Sequence, residues 1–140
     1  RLTDIQAALG LSQLKRVDEY LKIRHKIAEF YNSELNTLNI QLPFHSPKTY
    51  SSYHLYPIRI KNNLTPKTQQ QIYDALWDKD IAANLLYIPV HRQPYYENLG
   101  FKKNDYPVAE KFHQNVITIP IYPSLKKKHQ EHIIKTLNEF

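Results

Sequence analysis

Apolar residues recur at Ile5, Leu9, Leu14, Val17, Leu21, Ile27, Tyr31 and Leu35, close to the 3.6-residue period. Between them lies a polar face of Lys15, Arg16, Asp18, Glu19, Lys22, Arg24 and Lys26. This pattern predicts one long helix, or two consecutive ones, through about Leu38. Thr3-Asp4-Ile5-Gln6 fits a capping box that starts it, and Asp4 puts negative charge where the helix dipole favours it. Glycine within a helix costs about 1 kcal/mol relative to alanine. The small patch Ala7, Ala8 and Gly10 therefore points to close packing against another backbone.

Prolines and small polar residues over 40–52 predict a loop. Tyr53 to Ile60 alternates and is rich in β-formers, which predicts a strand, with Pro57 marking an edge or a bulge. Asn62-Asn63 turns the chain, and Thr65-Pro66 reads as a helix cap followed by proline in the first turn. That helix runs to about Trp77, and Asp78-Lys79-Asp80 ends it. Ile81 to Val90, apolar and β-competent, predicts a second strand. His91 to Asn104 reads as a long loop, and Pro107–Gln114 as a short helix. Val116 to Pro120 predicts a third strand. Ser124 then caps a last helix, with Leu125, Ile133, Ile134, Leu137 and Phe140 on or near its buried side. The resulting order α, β, α, β, α, β, α implies an α/β fold: a two-layer sandwich of helices on a largely antiparallel sheet, preceded by a long N-terminal helix.

The 140 residues leave room for one modest core. The absence of cysteine removes disulfides, thiolate-ligated zinc and thiol catalysis together. No apolar run approaches the roughly 20 residues of a membrane span. A cytoplasmic location is expected. The chain opens at Arg1 with no methionine anywhere, which reads as a piece of something longer. The net charge of +6 is dispersed, apart from Lys126-Lys127-Lys128 at the head of the last helix. A solvated helix face is the plain reading of that run, and a phosphate-binding patch the sharper one.

Seven histidines raise the question of metal. His129 and His132 share a helix face, yet no carboxylate completes a ligand set with them. These two, with His25 and His113, are expected at the surface. There is no Walker loop, dinucleotide fingerprint or nucleophile elbow. Tyrosine is more informative, with eleven in the chain. Tyr87, His91, Tyr95 and Tyr96 surround a strand end, where such rings either wall a ligand site or pack a small core.

Three segments carry a resemblance to the DegT/StrS family of sugar aminotransferases. They are Arg1-Leu2-Thr3-Asp4-Ile5-Gln6-Ala7-Ala8-Leu9-Gly10-Leu11-Ser12-Gln13-Leu14, Leu86-Tyr87-Ile88-Pro89-Val90-His91-Arg92-Gln93-Pro94-Tyr95-Tyr96, and Asp105 to Glu110 continuing through Ile119-Pro120-Ile121-Tyr122-Pro123. Within the family the second segment, together with Tyr53-His54-Leu55-Tyr56-Pro57-Ile58, resembles the transaminase of the pseudaminic-acid pathway. The resemblance implies the small C-terminal domain of a fold-type-I aminotransferase. Residues 1–38 would be a long helix linking to a large domain, and residues 39–140 the small domain. It further implies a homodimer that uses pyridoxal phosphate to move an amino group from glutamate to a UDP-linked 4-keto-6-deoxy sugar.

The lysine that holds the cofactor precedes the first segment in family members. The resemblance therefore implies a chain that is inactive alone, with no catalytic or cofactor-binding residue of its own and no metal. It assigns substrate contacts to Asn84, Leu85, Leu86, Tyr87, Arg1 and His91. Leu86 departs from the family, where many members carry histidine, and Asp80 stands where glycine is common, which implies an altered turn. Two readings of another class stand beside this one. One is a basic nucleic-acid-binding module on the Lys126-Lys127-Lys128 helix, and the other a protein-interaction domain built on the first helix. The resemblance implies neither a nucleic-acid nor a membrane partner.

Overall fold

In a computed structural model, residues 2–36, 38–61 and 67–140 are described. The chain begins with two consecutive helices, α1 (Asp4–Leu14) and α2 (Val17–Glu34). The capping box forms: Gln6 N–H donates to Thr3 Oγ1 at 3.3 Å, and Thr3 N–H to Gln6 Oε1 at 2.9 Å. The helices part at Lys15–Arg16, where the Arg16 amide turns back to Gln13 rather than continuing the ladder. The α1 helix buries no side chain. Ile5 is 84% exposed, and Leu9, Leu11 and Leu14 are also open. A Cβ added at Gly10 would meet nothing within 4 Å, so no neighbour among the described residues uses the small patch.

The second half of α2 belongs to the core, through Ile27, Ala28, Tyr31 and Leu35. Strands β1 (Ile40–Gln41), β2 (Tyr56–Ile60) and β3 (Val116–Ile119) form an antiparallel sheet in the order β1-β2-β3. β2 alternates buried Tyr56, Ile58 and Ile60 with half-buried Pro57 and Arg59. Across from it, Ile119 and Ile117 meet Tyr56 and Ile58. Helices α3 (Gln69–Asp78) and α6 (Lys127–Leu137) close this side with Ile72, Leu76, Ile133, Ile134 and Leu137. The α/β architecture is therefore as the sequence implies. Burial pushes the Tyr31 and Tyr56 phenols well above the ordinary tyrosine range.

Several expectations are corrected. β1 lies inside the segment read as a loop; its two residues pair with Ile60 and Arg59. β2 is the central strand and has no bulge at Pro57. The pairing with β3 turns the Pro57 nitrogen away from that strand, toward the stretch β1 is too short to cover, so the missing donor costs no ladder bond.

Ile81 to Val90 is not a strand. Only Asn84 pairs, exchanging 2.9 and 2.7 Å bonds with Thr118 on the free side of β3. Ile81 and Ala83 are apolar because they fill the core, and Pro89 has no N–H to extend a ladder. The stretch read as a loop after His91 holds a 3-10 turn (Val90–Arg92) and helix α4 (Pro94–Asn98). Pro94 begins α4 and Gly100, at φ +101°, terminates it.

Helix α5 (Pro107–His113) follows as expected. Ser124 does not cap α6; it lies in a turn that seats Leu125 in the core, and the helix starts after Lys126. Thr65-Pro66 lies outside the described residues. The cap of α3 is Thr68, in a second capping box with Gln71. Asp80 forms the turn that ends α3. It adopts φ +59°, the conformation glycine favours, while Ile81 N–H bonds Leu76 O at 2.9 Å to close the helix end.

Candidate functional site

The extended segment after Asn84 runs along α5, and together with the turn before β2 they enclose an apolar cleft of about 810 Å³. Its walls are Leu86 to Val90, Tyr106 to Ala109, Phe112 and His113, with Leu55 at the end. Helix α5 is fixed to the sheet from two directions. Gln69, the first residue of α3, donates through Nε2 to His113 O at 2.8 Å and to Val116 O at 2.6 Å. The Arg59 guanidinium, on the outer face of β2, lies 5.6 Å from the centre of the Phe112 ring.

From that base α5 touches the segment twice. His113 Nδ1 bonds Leu86 O at 3.0 Å; a carbonyl only accepts, so the proton is on Nδ1. Glu110 Oε1 meets His91 Nε2 at 2.8 Å and also accepts the Asn104 amide at 2.7 Å. His91 and Glu110 are both 7% exposed, and the Tyr106 ring packs 4.8 Å from the imidazole. Between the two contacts, Tyr87 is 89% exposed, and Ile88 and Val90 are also open to solvent.

Of the residues assigned from the sequence, Leu86 and Tyr87 line the cleft. Asn84 is the bridge to Thr118, and Leu85 packs against the core. His91 is buried against Glu110 rather than turned outward. Arg1 lies outside the described residues. Tyr95 and Tyr96 meet edge to face at 5.3 Å, away from the cleft walls, while Tyr31, Tyr53 and Tyr56 are core residues. The core reading thus holds for Tyr31, Tyr53 and Tyr56, while Tyr87 lines the cleft.

The expectation of surface histidines fails for His25 and His113. His25 is half-buried, stacked on Tyr50 at 4.4 Å, and bonds Ser51 O at 2.8 Å. Among the described residues no three histidines or carboxylates are grouped to hold a metal, and no helix is long and apolar enough to cross a membrane. Sequence reasoning missed Glu110 and His113 as parts of this site. Their spacing of three on a proline-started helix, which puts both on one face, was the available signal.

The His91 ring N–H, and secondarily the Asn104 amide, hold the Glu110 carboxyl below its ordinary value of 4.5. The folded state thus prefers the ionised form. Its stabilisation is present above the ordinary value and is lost as pH falls through the lowered folded one. Glu110 should accordingly titrate below the ordinary glutamate value when its carboxyl carbon is followed by NMR. Titration at or above that value would contradict the contact with His91.

Comparison with known proteins places this geometry in context. Residues 1–138 match the DegT/DnrJ/EryC1/StrS aminotransferase family. The chain is 32% identical over 139 residues to the spore coat polysaccharide biosynthesis protein SpsC of Bacillus subtilis (strain 168), covering 97% of this chain and 36% of that protein. It resembles the PLP form of the putative sugar aminotransferase Spr1654 from Streptococcus pneumoniae with a TM-score of 0.89 at 34% identity, over 98% of this chain and 35% of that one. It also resembles Helicobacter pylori PseC, an aminotransferase involved in pseudaminic acid biosynthesis, with a TM-score of 0.88 at 28% identity, over 99% and 37%. The chain therefore spans about a third of the length of these relatives. A family match across nearly every residue, on a fold that superposes with two of its structures, makes the chain a member of the DegT/DnrJ/EryC1/StrS aminotransferase family.

Proposed function

We propose that this chain is the C-terminal, substrate-side domain of a homodimeric, cytoplasmic sugar aminotransferase. The complete protein takes its amino group from glutamate and delivers it to a UDP-linked 4-keto-6-deoxy sugar. The observation that carries this reading is the family match over residues 1–138 in a chain that spans only a third of its relatives. The uncovered apolar face of α1 supports it, because a longer protein supplies the surface that face packs on. The pseudaminic-type sugar rests on the similarity to PseC and on Tyr53–Ile58 and Leu86–Tyr96.

In this family pyridoxal phosphate supplies an electron sink for the carbon that exchanges the amino group. The described residues do not fit that group. Its covalent attachment needs a lysine in an enclosed site, and every lysine here except Lys67 is exposed; Lys67 lies over the Phe140 ring at 4.2 Å. We infer that the rest of the protein holds the cofactor and that this chain alone is inactive. Its own contribution is to shape and line the sugar-nucleotide site through the cleft beside α5.

Tyr87 is the residue to test, in the complete enzyme with both substrates varied. Removing its hydroxyl from a neutral hydrogen bond costs about 0.5–1.5 kcal/mol, or roughly a two- to tenfold rise in KM for the nucleotide sugar. Tyr87→Phe should show that rise with kcat nearly unchanged, because a contact kept in the transition state does not alter the chemical step. The half-reaction with glutamate should be spared, since no nucleotide takes part in it. Collapse of kcat at constant KM would place Tyr87 in the catalytic machinery instead. Turnover of a GDP- or dTDP-linked keto sugar in preference to the UDP-linked one would overturn the substrate.

A further inference from the structure

We propose that α5 is a bracket that holds the segment Leu86–His91 by both ends, and that Glu110 and His113 are positioning residues which aim Tyr87 at the ligand. The functional half of this inference rests on the reading of the cleft given above. Its structural half rests on contacts alone.

A segment of six residues that leaves a sheet after one bridge has little to restrain it. Asn84 pairs with Thr118, but Leu86 to Val90 make no further ladder. Three of its side chains, Tyr87, Ile88 and Val90, point to solvent and contribute little packing. Such a stretch would ordinarily sample many conformations, at a cost of about 1–2 kcal/mol per residue to fix it. Here one short helix grips it at both ends. His113 holds the Leu86 carbonyl at 3.0 Å, and Glu110 holds the His91 ring at 2.8 Å.

The two gripping residues are three apart, on one face of α5, so their separation is set by the helix itself. The helix in turn is tied to the sheet through Gln69 and through Arg59 over Phe112. Glu110 also accepts the Asn104 amide, at a residue with φ +76°, which secures the turn leading into α5. The His91–Glu110 pair is therefore buried not to meet substrate but to set the end of the turn Val90–Arg92. That turn fixes where the Tyr87 ridge stands. A clamp of this kind lowers the entropy lost when a ligand binds, and so acts on affinity rather than on chemistry.

The test compares Glu110→Ala, His113→Ala and Glu110→Gln, made in the complete enzyme. Glutamine keeps an oxygen that accepts from both His91 and Asn104, so it should restore the bracket without the charge. Hydrogen exchange is read at the Arg92 and Gln93 amides, which bond to Pro89 O at 2.8 Å and Val90 O at 3.0 Å. In either alanine variant these amides should exchange about tenfold faster while those of Ile58 and Ile117 do not change, the signature of local opening. KM for the UDP-linked sugar should rise about five- to tenfold with kcat kept within about twofold. Glu110→Gln should behave close to the parent in both measurements.

Unchanged exchange at Arg92 and Gln93 in both alanine variants would overturn the bracket. Faster exchange with an unchanged KM, where Tyr87→Phe does raise KM, would overturn the positioning role and leave Glu110 a folding contact. Faster exchange with neither Tyr87→Phe nor the bracket variants affecting KM would overturn the reading of the cleft itself. If Glu110→Ala does not fold, His113→Ala carries the same comparison from the Leu86 end.

Discussion

Tyr31→Ala should cost about 3–5 kcal/mol, the usual range for removing a fully buried aromatic side chain. Domains of ordinary size unfold with roughly 5–15 kcal/mol, so the variant should lie near the edge of folding. The ring is 0% exposed and stands edge-on to Tyr56 at 5.1 Å. Its hydroxyl donates to Pro120 O at 2.9 Å. Tyr31 thus joins α2, β2 and the loop after β3 at one point. Tyr31→Phe isolates the polar part. It leaves the Pro120 carbonyl without a donor, at about 1–3 kcal/mol. Urea titrations of both variants give the two terms separately, with midpoints shifted and slopes unchanged. A cost below about 1.5 kcal/mol for Tyr31→Ala would mean that the cavity collapses and that α2 does not belong to the core.

The parts of the fold legible in the sequence are those carried by local signals. Thr3 and Gln6 specify the start of α1 within four residues, and the structure builds that cap. The alternation through Tyr56–Ile60 gave β2, because one face of that strand is buried and the other half-open. The run Ile81–Ala83 misled for the converse reason. Its residues are apolar to fill a core between α3 and β3, and burial alone does not distinguish a strand from a packed turn. α4 has only five residues, too few for a period to show; the proline at its first position and Gly100 after it were its only markers.

The candidate site was legible to a lesser degree. Leu86 and Tyr87 stood out through resemblance, not through any pattern that physics requires. Glu110 and His113 carry no mark beyond their spacing of three, since each reads as a polar residue on a short helix. Their meaning comes from partners 19 and 27 positions away, and only the fold brings those together. His91 shows the same limit from the other side. An imidazole near a strand end invites a ligand, yet here the fold turns it inward to a carboxylate.

Arg24 is the strongest case of a residue whose role is set by distant partners, and Arg24→Ala should cost about 2–3 kcal/mol, in the range for hydrogen bonds from a charged donor. On the helix face it is one cation among several, between Lys22 and Lys26. In the fold it is half-buried, and its Nη1 donates to Ile121 O at 2.7 Å and to Tyr53 O at 2.9 Å, with His54 O at 3.5 Å. It therefore pins α2 to the chain entering β2 and to the chain leaving β3, across sequence separations of 29 and 97 residues. Tyr53 is held at φ +45°, a conformation that a bulky residue adopts only when its surroundings compel it. The guanidinium on its carbonyl, with His25 and His45 against its ring at 4.8 and 4.6 Å, supplies that compulsion. Arg24→Lys should recover little. An ammonium is a compact, strongly hydrated donor on a shorter reach and does not hold the planar N–H pair of Nη1 against both segments. Urea unfolding gives the stability of both variants, and exchange at the Tyr53 amide, which bonds Ser51 Oγ at 3.1 Å, reports the local turn. Full recovery by lysine, or a cost below about 0.5 kcal/mol for alanine, the level of an ordinary surface substitution, would show that positive charge near the surface, not this three-way link, is what the position needs.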